Sequence, residues 1–161
     1  MKRRVVVTGL GIVSPLGLGL KENETALFEG RSGVDFIKTF TPEENFPVKI
    51  AGEVKGFDPE EYIDHKAVKK MDRFIHYAVA CSKMALDDSG IVINDENAER
   101  VGVIVGVGLG GLPAIEKYHN ISREKGVKKI TPFFIPMLIA NLASGQVSIT
   151  FGAKGPNSCV V

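Results

Sequence analysis

The chain has 161 residues, of which 44% are hydrophobic and 24% are charged, and its formal net charge is +1. This balance is typical of one globular domain with its own core, and so small a charge excludes a general attraction to nucleic acid or membrane surfaces. The two cysteines are too few for a disulfide framework, so we expect a reducing, cytoplasmic compartment. The N-terminal run MKRRVVVTGLG is too short and too interrupted by glycine to be a signal peptide or a membrane span.

The first third of the chain contains few regular elements. Residues 3–7 are β-branched and basic, and they predict a short buried strand that runs into a glycine turn. Residues 20–29 predict a helix that Gly30 closes. The following segment has two prolines and no steady period, and we expect a surface excursion that ends in a small strand near residues 48–54.

The middle of the chain carries the strongest periodic signals. Apolar residues recur at three- and four-residue steps over residues 66–89, which predicts one long helix with Gly90 as its stop. Residues 101–107 predict a central strand, and a loop with three glycines follows it. The segment LPAIEKYHNISREKG then predicts a helix with Pro113 near its start.

The last third is strongly apolar. Residues 136–149 predict a helix that is apolar nearly all round and therefore buried on more than one side. The final stretch SITFGAKGPNSCVV predicts another strand at Val160 and Val161. Strands that alternate with helices favour an α/β fold with a mostly parallel sheet, although so few strands leave that sheet incomplete.

One glycine motif suggests a dinucleotide-binding turn, because TGLGIVSPLG follows a strand and precedes a helix. Gly9 and Gly11 match the first two glycines of that motif, but Ser14 and Pro15 occupy the place of the third. The acidic residue expected after a second strand is also missing, since Asp35 lies in a polar connection. We therefore interpret the motif as a tight structural turn.

Four segments together carry a family resemblance: VVVTGLGIVSPLG, KKMDRFIHYAVACSKMALDDSG, VGVGLGG and TPFFIPMLIANLASGQVSITFGAKGPN. In this order they resemble the N-terminal part of the β-ketoacyl-[acyl carrier protein] synthases, the condensing enzymes of bacterial fatty acid synthesis, and most closely the type II class. The resemblance implies a thiolase-like layered α-β-α-β-α fold. Residues 1–161 are then its incomplete N-terminal half, and the C-terminal half is absent.

The resemblance also implies a reaction. A cysteine takes a fatty acyl group from acyl carrier protein, and a decarboxylative Claisen condensation with malonyl-carrier extends it by two carbons. In this family the nucleophile lies at a helix head just past the position of Val161, and two catalytic histidines come later, so we expect no catalytic residue within residues 1–161. No metal or redox cofactor is implied, since phosphopantetheine of the carrier holds the substrates. A 161-residue protein on its own is expected to be inactive and poorly soluble.

Two apolar residues match substrate-binding positions of the family. Leu109 of GVGLGG occupies the position that gates the acyl pocket, and Phe134 of TPFFIP matches a phenylalanine that reaches across a homodimer interface into the partner's pocket. A two-fold dimer would explain why FFIPMLIANL is apolar nearly all round. Without the resemblance, both residues are interpreted as core packing.

Two groups of basic residues match the family's docking positions for acyl carrier protein, which is acidic. Lys66, Lys69 and Lys70 lie at i, i+3 and i+4 and are predicted to share one helix face. Lys128 and Lys129 form the second group, ahead of the apolar helix. The plain alternative is a solvated helix face, because Asp72 and Arg73 dilute the first group.

The remaining candidates for nucleophile or base are interpreted as structural. Cys159 lies within a strand among valines, and Cys81 lies mid-helix, so burial is expected to raise their pKa values rather than activate them. His65, His76 and His119 have no second histidine or acid at metal-ligand spacing, and we expect surface positions for all three.

Two other functions stay open at this stage. One is a non-catalytic chain-length-factor-like subunit that pairs with an active synthase, which the residue at the nucleophile position would distinguish. The other, a dinucleotide-binding reductase, is disfavoured by the loop after VVVTG.

Overall fold

The computed structural model describes residues 3–161, so Met1 and Lys2 of the basic N-terminal stretch lie outside it. The helices are α1 (Leu20–Phe28), α2 (His65–Val68), α3 (Arg73–Ser89), α4 (Leu112–Lys125), α5 (Phe134–Leu138) and α6 (Leu142–Phe151). The strands are β1 (Val13–Ser14), β2 (Gly17–Leu18), β3 (Asp35–Phe36), β4 (Ile50–Ala51), β5 (Val103–Gly106) and β6 (Asn157–Val160). Short 3-10 turns occur at Pro59–Glu61, Ala98–Arg100 and Val127–Lys129.

The prediction of a buried strand over residues 3–7 is wrong. The backbone there belongs to no ladder, and Val5 is 92% exposed. A strand needs a neighbour to accept and donate its backbone hydrogen bonds, and β-branched side chains alone do not supply one.

The glycine motif that follows packs against a helix. A Cβ at Gly9 would lie 2.2 Å from the Ala85 carbonyl oxygen, and one at Gly11 would lie 2.0 Å from that of Cys81. The Leu10 N–H donates to the Asp88 carboxylate at 2.9 Å. The two glycines therefore allow the chain to touch the backbone of α3.

The rest of the motif forms a tight β1–β2 hairpin at the start of α1. The buried Asn23 side chain donates to the carbonyl oxygens of Gly17 and Gly19 at 2.9 and 2.8 Å. Glu22, in the first turn of α1, accepts from the Leu18 N–H at 2.8 Å. A carboxylate thus occupies the helix end that a pyrophosphate would need, which supports the interpretation as a structural turn.

Two shorter predictions are confirmed in this region. Helix α1 ends one residue before its predicted limit, and Gly30 follows with φ 66°. The strand expected near residues 48–54 is β4, which pairs antiparallel with β3 through Phe36–Ile50 and Asp35–Ala51.

The single helix predicted over residues 66–89 is two helices. Helix α2 ends at Val68, and α3 begins at Arg73 with Asp72 as its N-cap, whose side chain accepts from the Arg73 N–H. Asp64 caps α2 in the same manner by accepting from the Lys66 N–H. Each aspartate accepts from a backbone N–H that the start of a helix leaves without a partner. Two helices, α2 and α3, can therefore begin within a few residues of each other. Gly90 ends α3 in the left-handed conformation, as predicted.

The apolar helix predicted over residues 136–149 is also interrupted. Helix α5 stops at Leu138, Ile139 is extended with ψ 133°, and α6 begins at Leu142. Burial is one-sided, because Ala143, Ser144 and Val147 are buried whereas Ile149 is exposed. The predicted helix over LPAIEKYHNISREK is confirmed as α4.

The predicted central and final strands form one parallel pair. β5 pairs with β6 in register, from Val103–Asn157 to Gly106–Val160. Helix α6 crosses between them and packs on α3 and β5, so that Val147 joins Ile63, Ile75 and Val79 in the main core. This helix-covered parallel ladder confirms the α/β class with its parallel sheet. No helix within residues 3–161 has the length and apolarity needed to cross a membrane.

The Gly11 contact gives a stability prediction. Gly11→Ala places a methyl group against the backbone of α3, and we expect the free energy of unfolding to fall by about 1–3 kcal/mol because a backbone carbonyl must move. Gly106→Ala is the control, since a Cβ there meets no atom within 4 Å, and its effect should stay within about 1 kcal/mol. Urea unfolding of both variants measures this, and equal stabilities would contradict it.

Candidate functional site

The candidate site lies where the carboxyl ends of β5 and β6 meet. The Val107 N–H donates to the Val160 carbonyl oxygen at 2.9 Å, which extends the ladder to the last residues of β6. The chain after β5, residues 107–111, is called the glycine loop below. It contains Leu109, which is 78% exposed. Leu109 is therefore presented at the sheet edge to which β6 also leads, the edge where α/β folds bind ligands.

The glycine loop is fixed by close contacts with the end of α5. The Gly111 N–H donates to the Leu138 carbonyl oxygen at 3.0 Å. A Cβ at Gly110 would lie 2.5 Å from that oxygen, and one at Gly111 would lie 2.2 Å from the Met137 carbonyl oxygen. Gly110 also has φ 78°, which disfavours any side chain there. The loop can take this path only with glycine at both positions.

Asp72 connects this loop region to the start of α3. Its Oδ1 accepts from the Arg73 N–H at 2.6 Å, and its Oδ2 accepts from the Ala114 N–H at 3.0 Å. Because Ala114 lies in the first turn of α4, one carboxylate satisfies donors at two helix starts. The sequence analysis assigns Asp72 no role beyond that of a charge that dilutes the lysine group, although an aspartate directly before an apolar periodic run is a helix-start signal.

Phe134 packs within its own chain. Its ring meets that of Tyr118 edge to face at a centroid distance of 5.2 Å, beside the buried Met137 and Ala114. The neighbouring Phe133 is 39% exposed instead. The role of Phe134 in a partner's pocket stays a prediction.

The five lysines are all exposed, and among residues 3–161 none of them forms a salt bridge. The prediction that Lys66, Lys69 and Lys70 share one helix face is wrong, because α2 includes only Lys66 and the chain turns after Val68. Residues 66–72 are called the lysine turn below.

The second lysine group precedes, by four residues, an aromatic residue that contacts the first group. Lys128 and Lys129 occupy the 3-10 turn that leads towards Phe133. The Lys70 ammonium lies 5.0 Å from the centroid of the Phe133 ring, a cation–π contact. Phe133 therefore connects the segment that carries the second group to Lys70 of the first.

A wide cleft of about 1060 Å³ borders the lysine turn. Its walls include Phe40 and Phe57 from the loop region before α2, His76 from α3, and Tyr118 from α4. No sequence pattern predicts this cleft, because its walls come together only through tertiary packing.

The cysteines have the predicted structural settings. Cys159 lies inside β6. Cys81 lies on α3, and burial raises the pKa of its thiol although a backbone contact with Val13 opposes the shift. A raised pKa leaves little thiolate at neutral pH, so Cys81 is a poor nucleophile.

One of the three histidine predictions is wrong. His65 and His119 are exposed, but His76 is half-buried, and its Nε2 lies 3.1 Å from the Val68 carbonyl oxygen. Burial lowers the pKa of His76, which favours the neutral ring. Within residues 3–161, no three His, Cys, Asp or Glu side chains are grouped as a metal site requires.

A polar network that sequence reasoning missed holds β6 on α6. The fully buried Ser144 donates through Oγ to Asn157 Oδ1 at 2.8 Å. The Asn157 amide donates to the Ser144 carbonyl oxygen at 2.9 Å and to Ser148 Oγ at 2.6 Å. These bonds fix the start of β6 and hence the direction in which it delivers its carboxyl end.

Comparison with known proteins identifies the family. Residues 2–161 match the family model described as β-ketoacyl synthase, N-terminal domain. The chain is 46% identical over 160 residues to a protein of Synechocystis sp. and 49% identical over 160 residues to one of Coxiella burnetii. Both relatives are named 3-oxoacyl-[acyl-carrier-protein] synthase 2. The alignments cover 99% of this chain and 38% of each relative.

A solved structure agrees with this match. The ishigamide ketosynthase/chain length factor superposes on the whole chain with a TM-score of 0.84 and 30% sequence identity, and 40% of that protein's chain is covered. Its fold is thiolase-like, and the α/β layers described above correspond to part of it. With the family model and the relatives in agreement, the chain belongs to the β-ketoacyl synthase family and carries the N-terminal domain of that family.

Proposed function

We propose that this chain is the N-terminal portion of a 3-oxoacyl-[acyl carrier protein] synthase II, an acyltransferase of cytoplasmic fatty acid biosynthesis. The observation that carries the proposal is the in-register pairing of β5 with β6. It brings the glycine loop and the end of β6 to one sheet edge. The whole-chain match to proteins of that name supports the substrate class. The chain spans 38% of those relatives, and in this proposal the C-terminal half of the fold follows residues 1–161.

The proposed reaction has two acyl-transfer steps. A cysteine thiolate attacks the acyl thioester on acyl carrier protein and releases the phosphopantetheine thiol. Malonyl-carrier then loses carbon dioxide, and its carbanion attacks the acyl-cysteine, which lengthens the chain by two carbons and frees the thiolate. The nucleophile follows Val161 at a helix N-terminus, where the helix dipole lowers a thiol pKa. The reaction needs no metal or redox cofactor.

The described residues take supporting roles in this proposal. Leu109 gates the acyl pocket, for which its exposure at the sheet edge is suitable. Phe134 contributes to the partner's pocket in a homodimer, and the exposed apolar Phe133, Ile135 and Ile139 around it suit such an interface. The lysines of both groups receive the acidic acyl carrier protein, since a locally basic surface steers the association of an acidic partner.

A non-catalytic chain-length-factor-like subunit is the second candidate, because the ishigamide protein at 30% identity is described as a ketosynthase/chain length factor. The residue at the nucleophile position separates the two candidates. Incubation of the full-length protein with acyl- and malonyl-carrier tests the first: mass spectrometry should detect a 3-oxoacyl product two carbons longer. Absence of that product together with a residue other than cysteine at the nucleophile position would favour the second.

The carrier-docking proposal predicts a specific kinetic change. In the full-length enzyme, changing Lys66, Lys69 and Lys70 to Glu should raise the KM for carrier substrates by about tenfold or more, because the steering field is reversed. The kcat at saturation should change little, since these side chains lie outside the reacting site.

The matched control reverses three exposed lysines outside both groups: Lys21, Lys83 and Lys154. The control has the same net charge as the test variant, and loss of the surface ion pairs of Lys83 and Lys154 has a small effect. An unchanged KM in the first variant, or an equal rise in both, would reject docking at the lysine turn.

The gate proposal predicts a change in acyl-length preference. Leu109→Phe should lower kcat/KM for long acyl carriers more than for short ones, because the larger ring narrows the entrance to the pocket. Leu109→Ile nearly conserves volume and should retain the native preference. Leu112→Phe, at an exposed position at the start of α4, controls for the added ring. If all three variants share one length profile, Leu109 is not the gate.

A further inference from the structure

Two segments with separate proposed roles meet at one side chain. The lysine turn ends at Asp72, two residues after Lys70, and the glycine loop ends at Gly111, two residues after Leu109. Asp72 Oδ2 accepts from the Ala114 N–H at 3.0 Å, and a Cβ at Gly111 would lie 2.9 Å from the same oxygen. The carboxylate thus lies against the end of the glycine loop.

Besides the contact with Asp72, the glycine loop has few contacts that fix its path. Its residues Gly110 and Gly111 rest on the backbone of Met137 and Leu138, which fixes one face of the loop. Gly108 has no atom within 4 Å of its Cβ position, so the loop is open at its tip. The Asp72–Ala114 bond in addition fixes the first turn of α4, into which the loop runs.

We propose that Asp72 is a positioning residue that sets the path of the glycine loop, and through it the acyl-length preference at Leu109. The charge of the carboxylate strengthens both of its hydrogen bonds, and the two bonds have different purposes. The Arg73 bond caps α3, whereas the Ala114 bond holds the start of α4 and the loop before it. This inference rests on the proposed function, because acyl-length preference is its readout.

Asp64 provides a matched control on the same surface. It caps α2 through the Lys66 N–H at 2.9 Å, and it lies just before the lysine turn as Asp72 lies at its end. Asp64→Asn and Asp72→Asn each remove one negative charge beside the same lysines. Asparagine is also a good N-cap residue, so both variants keep a cap acceptor and should fold. Both variants replace one carboxylate oxygen by an amide nitrogen, but only at position 72 does that second oxygen accept a bond from another helix.

The test compares kcat/KM for long and short acyl carriers in the full-length enzyme. Asp72→Asn should change the long-to-short ratio by about threefold or more, a size typical of substitutions that disturb the coupling between sites. Asp64→Asn should leave the ratio as in the unmutated enzyme. Asp72→Glu retains the charge and both oxygens, and it should restore part of the native ratio. Melting temperatures close to the unmutated value in both Asn variants exclude general destabilisation as the cause.

A second measurement separates the loop from carrier docking. With acyl groups supplied on pantetheine alone, which lacks the acidic protein, the altered ratio of Asp72→Asn should persist. Its disappearance would assign the effect to docking and overturn the inference, as would an unchanged ratio or equal changes in the two Asn variants. If the unmutated enzyme elongates no substrate, the proposed function fails, and the inference fails with it. If elongation is normal but the Asp72→Asn ratio is native, only the inference fails.

Discussion

The parallel pairing of β5 with β6 is the constraint on which the site depends. Parallel strands in register have their carboxyl ends at one edge, so the residues that follow each strand become neighbours despite a long separation in sequence. Here the Gly106–Val160 pair brings the glycine loop beside the last residues of β6. The Ser144–Asn157 network fixes the other end of β6 on α6, so the strand cannot slip without burying unpaired polar groups. Register, and hence the position of Leu109, is therefore set from both ends of the ladder.

Close contacts between glycine and helix backbones occur twice in the structure. Gly9 and Gly11 touch carbonyl groups of α3, and Gly110 and Gly111 touch those of α5. Both glycine pairs allow a chain segment to approach a helix more closely than any side chain would permit. The first pair forms the motif that resembles a dinucleotide turn in sequence. Its glycines have the spacing of that motif, yet they serve helix packing, while Glu22 occupies the adjacent helix start.

The elements that the sequence predicted well carry local signals. A β-branched run indicates β5, Gly30 and Gly90 mark the ends of α1 and α3, and Pro113 marks the start of α4. The predictions that are wrong concern features set by residues distant in the sequence. Residues 3–7 have strand composition but no partner strand in the described part of the chain, and the bond from Ala114 to Asp72 spans 42 positions. The family resemblance is the source of the roles proposed for Leu109 and the lysines, whereas Asp72, Asn157 and the wide cleft required the three-dimensional arrangement.

The helices predicted over residues 66–89 and 136–149 are both interrupted where they meet the glycine loop. In an unbroken helix, the Leu138 carbonyl would accept from the Leu142 N–H; in the structure that N–H donates to Ile139, and Leu138 accepts from Gly111 instead. Similarly, Asp72 reaches the Ala114 N–H because the chain starts a new helix at that point. The interruptions supply the acceptors that hold the loop. The apolar period of the sequence continues across both helix breaks, so the period does not predict them. At these breaks the chain departs from regular helix and instead makes contacts that shape the site.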